Sequence, residues 1–532
     1  MKRIFSALLL LLLALPAGAA VKLPACVGDR MVLQRDRAVK LWGWADPGER
    51  VNIVYADGKR YTTQADEAGC WLLTLPAMPA GGPHTIRVNE LAISDVLFGD
   101  VFLCTGQSNM ELPVYRVLDL FADEVAAYAN DRIRHIVVPR TVNFHAPQAD
   151  MPATEWQSLD PKQAMHFSAL AYFTARALYA RTGVPVGLVN SCWGGTPVES
   201  WISEEGLEPF PRYLNDKRLY EEDAYCDALR DVERQSAARW YRQLYAADPG
   251  YRGAKPWYAD DYDDSQWPSV ALFGAWGSDG TYTAAGSHWL RKRVELPADW
   301  AGCEATLRLG CIVDADSVYV NGTFVGTTGY QYPPRIYRIP AGLLRAGENQ
   351  VTVRIISNGG RPHFVPEKPY KILCNGGEVS LEGEWRYCAG APMPPAPAST
   401  FFHYKPVCLY NAMIAPLANS AFRGVIWYQG ESNVGRRGEY AALLTAMIAD
   451  WRRTFDDAEL PFYIVELADF LSPEDVGGRQ AWAEMRAVQA QVAAENANAR
   501  LIRNSDLGEW NDIHPLDKKT LGERVAAAIA GE

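Results

Sequence analysis

Positive charge is short in this sequence: 52 Lys and Arg stand against 63 Asp and Glu, a formal net charge of -11 over 532 residues. Phosphate backbones are bound by an excess of basic side chains, so the balance argues against a nucleic-acid partner. Histidine is scarce too, with 8 in the chain. No Cys or His spacing matches a zinc pattern, and neither a metal nor another cofactor is expected. No isolated carboxylate pair stands out, as a glycoside hydrolase would require. Past the N-terminal residues no apolar run is long enough to span a bilayer, so no integral membrane segment is expected in the mature chain.

What is present is globular: 48% hydrophobic and 22% charged residues. The length suggests roughly three or four domains. With 17 Trp, 26 Tyr and 17 Phe there is aromatic surface to spare, and flat rings suit the apolar faces of sugars. Residues 1–20 have the form of a signal peptide, with Lys2-Arg3, an apolar run from Leu8 to Leu15 and the small exit Ala17-Gly18-Ala19-Ala20. Leu23-Pro24-Ala25-Cys26 loosely imitates a lipidation box but lies beyond that run, after Lys22, so lipid anchoring is not expected. The mature chain is therefore expected to be exported, to the periplasm or outside the cell. Ten cysteines in an exported chain invite disulfides, yet their spacings fit no compact framework. They read as mostly small core residues, with room for one or two bridges.

Residues 21–90 read as a small β-sandwich of short strands separated by the turn signals Asp46-Pro47-Gly48 and Asp57-Gly58. From 91 to 250 strands alternate with helices, the signature of a parallel sheet. Helices are expected over Ser168 to Arg181, ended by Gly183, and over Asp216 to Ala246. From 251 to 395 the chain is β again, with a hairpin whose turn is Asn321-Gly322, of type I′. Residues 396–532 resume the α/β alternation, so the middle segment reads as an insertion into one α/β domain.

The chemistry gathers at strand exits, where open α/β sheets bind ligands. Gly106-Gln107-Ser108-Asn109-Met110 turns sharply out of a buried strand and presents a hydroxyl, which a base can activate. The bland reading of Ser108 is a helix cap. Gly194-Gly195 can offer unhindered N–H groups to an oxyanion, or form a plain tight turn. Gln429, Glu431 and Asn433 make a polar exit from an apolar strand, with capping by Ser432 or Asn433 as the alternative. His514 follows Asp512 and precedes Pro515, which would hold its loop rigid. Four such signals at one sheet edge point to ester hydrolysis.

These blocks, with Trp193-Gly194-Gly195-Thr196, Trp427 to Asn433 and Asp512-Ile513-His514-Pro515, resemble those of the sialate O-acetylesterase family within the SGNH hydrolases. Val21-Lys22-Leu23-Pro24 and Met31 to Arg35 resemble that family's N-terminal domain, and the insertion resembles a galactose-binding-like domain. The resemblance implies a flavodoxin-like, three-layer α/β/α hydrolase that removes acetyl groups from sugar hydroxyls without a metal. By position Ser108 is then the nucleophile and His514 the base. The Ser108 N–H, the Gly194 or Gly195 N–H and a side-chain amide, from Gln429 ahead of Asn433, form the oxyanion hole. Gln107, Asn109 and Glu431 support the loops. The wider pattern places an acid three residues before the histidine, where this chain has Asn511. Asp512 is therefore the expected orienting carboxylate, with Asp506 or a backbone carbonyl as the alternative. An O-acetylated sialic acid is the expected substrate. Acetylated xylan or another glycan is the alternative within the enzyme class, and a non-catalytic glycan-binding protein the alternative outside it.

Overall fold

The computed structural model describes residues 21–274, 276 and 285–531. The expected signal peptide lies outside them. The chain divides into two compact units. One runs to Glu221 and resumes at Phe402, and the other is Glu222–Phe401.

The first unit is built on strands Leu91–Gly106, Asn130–Val137, Val186–Cys192, Gly424–Tyr428, Phe462–Val465 and Ala499–Ile502. All pair in parallel. Numbered along the chain, their order in the sheet is 6-5-4-1-3-2, whereas the flavodoxin order is 2-1-3-4-5. The difference falls at the third strand. Val186–Cys192 is buried along its whole length and takes a place with a parallel neighbour on each side. Asn130–Val137 has exposed positions and goes outside it.

Alternation along the strands splits the core between two faces. Phe102, Cys104, Ile426 and Tyr428 pack with buried residues of helices Ala169–Thr182 and Lys518–Ala530. On the other side Trp427 meets Trp451 of helix Arg437–Thr454 edge to face. The helix at 169–182 starts where its local signals put it. Ser168 Oγ accepts from the Ala171 N–H at 3.1 Å, and Gly183, with φ of 64°, ends it.

The sixteen-residue strand Leu91–Gly106 serves two sheets. Its first half pairs with Gly81–Val88 and Val32–Gln34, continuing to Arg50–Val54 and Arg60–Gln64. Its second half is the centre of the parallel sheet. The strands Val39–Trp44 and Cys70–Leu75 form a separate antiparallel pair.

The second unit holds a six-stranded and a four-stranded antiparallel sheet, whose buried residues form one cluster that includes Leu290, Leu307, Val353 and Trp385. Asn321 and Gly322 have φ of 47° and 77°, as a type I′ turn requires. The single helix expected over 216–246 is two, Pro211–Tyr220 and Asp223–Ala247. The acidic run Glu221-Glu222-Asp223 falls at the start of the second, where helix N–H groups favour negative charge. None of the ten cysteines is paired in a disulfide. Among the described residues no helix is long and apolar enough to cross a membrane.

Candidate active site

Gly106 ends its strand with φ of 133°, so close to the next strand that an added Cβ would lie 2.1 Å from the Tyr428 carbonyl oxygen. Only glycine fits there, and the chain turns at once into the short helix Ser108–Glu111. The cap position of that helix is Gln107, without a side-chain bond, so Ser108 is its first residue and not its cap. The Ser108 Oγ lies 2.9 Å from His514 Nε2, across 406 residues of sequence. As the first N–H of this helix, the Ser108 N–H has no intrahelical partner.

His514 is buried. That burial, with the Arg116 and Lys518 charges nearby, lowers its pKa to about 3, so the imidazole is neutral and can accept a proton. Its peptide unit is held at both ends. The Ile513 carbonyl accepts from Asn109 Nδ2 at 2.8 Å, and the His514 N–H donates to Asp512 Oδ1 at 2.9 Å. The same Asp512 oxygen lies 3.8 Å from His514 Nδ1, beyond hydrogen-bond length. Asp512 therefore steadies the loop through its backbone, with its charge beside the ring. Asp506 is engaged elsewhere: Arg524 forks it at 2.6 and 2.7 Å and holds its carboxyl down to about 2.

Gln107 ties the nucleophile's turn to the neighbouring exit, its Oε1 accepting from the Gly430 and Ser432 N–H groups at 3.4 and 3.3 Å. Ser432 Oγ donates to the Gly195 carbonyl at 2.6 Å, so it stitches two turns together and caps nothing. Glu431 Oε1 accepts from Asn109 Nδ2 at 2.7 Å.

The amides expected at the oxyanion are committed to this scaffold. Gln429 Nε2 donates to the Thr196 carbonyl at 3.2 Å and to Asn433 Oδ1 at 2.7 Å, which uses both its protons. Asn433 Nδ2 donates to Glu199 at 3.0 Å, and its oxygen accepts from the Val198 N–H at 3.0 Å. Both side chains are fully buried. They hold the Trp193–Val198 turn against its neighbour.

Gly194 does stand against the nucleophile, since a Cβ there would be 3.4 Å from Ser108 Cβ. Its N–H is occupied by Glu111 Oε2 at 2.5 Å, and the other oxygen of Glu111 accepts from Arg140 at 2.5 Å. Beyond this turn, Trp193 stacks on His403 at 4.3 Å with the rings 10° from parallel. Gly195, at φ of 77°, has the Tyr404 hydroxyl where its side chain would be. Glu111, Arg140 and Lys518 were not legible as site residues. Two carried a signal: Glu111 is one helical turn from Ser108, and Lys518 begins a helix, where its charge opposes the dipole.

The family model described as carbohydrate esterase, sialic acid-specific acetylesterase, matches residues 98–237 and 398–530. Human sialate O-acetylesterase is 30% identical over 215 residues, 36% of this chain and 40% of that protein. This chain thus matches about two fifths of the human relative's length. The rat sialate O-acetylesterase is 29% identical over 97% of this chain and 74% of its own. A carbohydrate acetylesterase from Xanthomonas citri superposes with a TM-score of 0.57 at 25% identity, over 96% of this chain and 76% of that one.

Proposed function

Because the chain belongs to the sialic acid-specific acetylesterase family of carbohydrate esterases, we propose that it releases acetate from O-acetylated sialic acids by acyl transfer through Ser108. The observation that carries this reading is the 2.9 Å contact between Ser108 Oγ and a neutral, buried His514. On this reading residues 91–250 and 396–532 make the SGNH-type α/β/α hydrolase, 21–90 and the galactose-binding-like 251–395 are β-sandwiches, and 1–20 directs export.

In the first step Ser108 Oγ attacks the acetyl carbonyl carbon while His514 Nε2 takes its proton. The tetrahedral oxyanion meets the N–H groups of Ser108 and Gly194. Collapse expels the sugar oxygen, which receives the proton from His514. Water, deprotonated by the same nitrogen, then releases acetate and frees Ser108.

The second donor has to be given up by Glu111, whose carboxylate stands where the oxyanion would. Arg140 keeps that carboxylate neutralised when it lets go. Replacing Glu111 with Ala leaves the Gly194 N–H open, and the product acetate should bind it more tightly. We expect an acetate inhibition constant lower by about tenfold, the worth of one charge-assisted hydrogen bond. An unchanged constant would show that the ester carbonyl never uses this N–H.

Asp512 gives a separable test. Asn in its place keeps an oxygen for the His514 N–H and removes only the charge. Ala removes both. Asp512→Asn should lose about tenfold in kcat/KM and Asp512→Ala clearly more. Equal losses would mean that the backbone bond contributes nothing.

The Arg116 charge beside His514 favours an acidic sugar over neutral xylan. Acetate release across a panel of acetylated sialosides and xylo-oligosaccharides tests the reading. Preference for xylan would move the substrate, and no release from any ester, p-nitrophenyl acetate included, would end the esterase assignment.

A further inference from the structure

A lysine is buried behind the catalytic loop, and hydrophobic stability does not explain it. Lys518 is 1% exposed at the first position of helix Lys518–Ala530. Burying an ammonium costs several kcal/mol, and the N-terminus of a helix is the wrong end for a positive charge. Its Nζ donates to Asn109 Oδ1 at 2.8 Å and lies 5.1 Å from the centre of the Tyr428 ring.

Asn109 is where this contact acts. Its amide nitrogen spends one proton on Glu431 Oε1 and one on the Ile513 carbonyl, at 2.7 and 2.8 Å. Flipped by half a turn, the amide would aim its oxygen at a carboxylate and a carbonyl and its NH2 at an ammonium, so two acceptors and a donor on the opposite side together hold it the right way round. Lys518 is that donor. The Ile513 carbonyl belongs to the peptide unit whose N–H is held by Asp512. The lysine thus reaches the imidazole through one amide and one peptide plane.

We propose that Lys518 is a positioning residue for the reaction, acting through Asn109 on the peptide that carries His514. The proposal rests on the esterase reading above. Its charge has a second consequence, since Lys518 and Arg116 both face His514 from the positive side and Asp512 faces it from the negative. Lys518 itself faces Glu431, Asp512, Glu509 and Asp517, and burial brings it down to about 7. Glu431 is raised, by burial first. Burial first, then the Arg116 charge and then that of Lys518, opposes protonation of His514, so the acid limb of kcat/KM lies below the ordinary histidine range. Removing the Lys518 charge raises the limb.

The test compares Lys518→Met with Lys518→Gln. Met abolishes both the donor and the charge, and kcat should fall roughly 10²-fold with KM little changed, as for a misplaced base. Gln keeps a donor for Asn109 and should recover most of kcat. In both, the acid limb should move up by about one pH unit, one neighbouring charge removed. A Met variant with wild-type kcat and a wild-type acid limb overturns the proposal, whatever its melting temperature. Should neither variant fold, the wild-type ring is followed by 13C NMR with labelled histidine. An inflection of the His514 ring signals as Lys518 loses its charge near pH 7 supports the proposal, and ring signals flat through that range overturn it. An inactive wild-type enzyme would instead refute the esterase reading and leave the ring titration readable.

Discussion

Ser108→Ala should abolish acetate release, by 10³-fold or more, while the protein stays folded. The side chain contributes little else. Its hydroxyl is bonded to His514 and caps no helix. Ala is also the best helix former at the position it would occupy. Loss of the hydroxyl leaves His514 with no nucleophile to activate. What remains is whatever the open donors contribute to attack by water. The measurement is acetate release at saturating ester, with circular dichroism to establish folding. Comparable turnover by the folded variant would remove Ser108 from the mechanism, and the resemblance would then describe an ancestry without its chemistry.

Gly106→Ala should do its damage one residue earlier and by a different route. The new methyl would meet the Tyr428 carbonyl oxygen at 2.1 Å, on the neighbouring strand of the same sheet, with φ at 133°. That oxygen accepts from the Gln107 N–H at 3.0 Å, so it has no room to retreat without losing the turn. Left-handed strain and overpacking each cost about 1–3 kcal/mol. Together we expect a loss of about 4 kcal/mol, with the melting temperature and soluble yield falling alongside activity. A variant that melts with the wild type would mean that the strands separate freely here. The Ser108 turn would then owe its place to something other than Gly106.

Much of this could be read without coordinates. Ser168 and Gly183 bracket their helix because both signals are local: a side-chain oxygen for a free N–H, and a residue tolerant of positive φ. Asn321-Gly322 makes its hairpin for the same kind of reason. The break in the helix expected over 216–246 was hidden because amphipathic spacing runs smoothly across Glu221 and Glu222, and only the acidic cluster marks the start of a second helix. The sheet order could not be read at all. Which of two strands lies inside is settled by pairing between segments distant in sequence, and only the fold shows Val186–Cys192 buried throughout and Asn130–Val137 partly exposed.

The amino-acid order alone determined which residues leave the ends of the parallel strands, and so which ones share an edge. Successive parallel strands all finish on one side, whatever their order. Tertiary structure decided who bonds to whom at that edge. Gln429 looked free for an oxyanion and is spent on Thr196 and Asn433. Gly194 looked open and is held by Glu111. Asp512 looked like the partner of the imidazole; its oxygen lies 3.8 Å from that ring and accepts from the backbone N–H of the same residue. Lys518 looked like a helix residue and stands behind the base. A hydrogen bond is made or lost within half an ångström, between groups hundreds of residues apart, and no local pattern carries that distance.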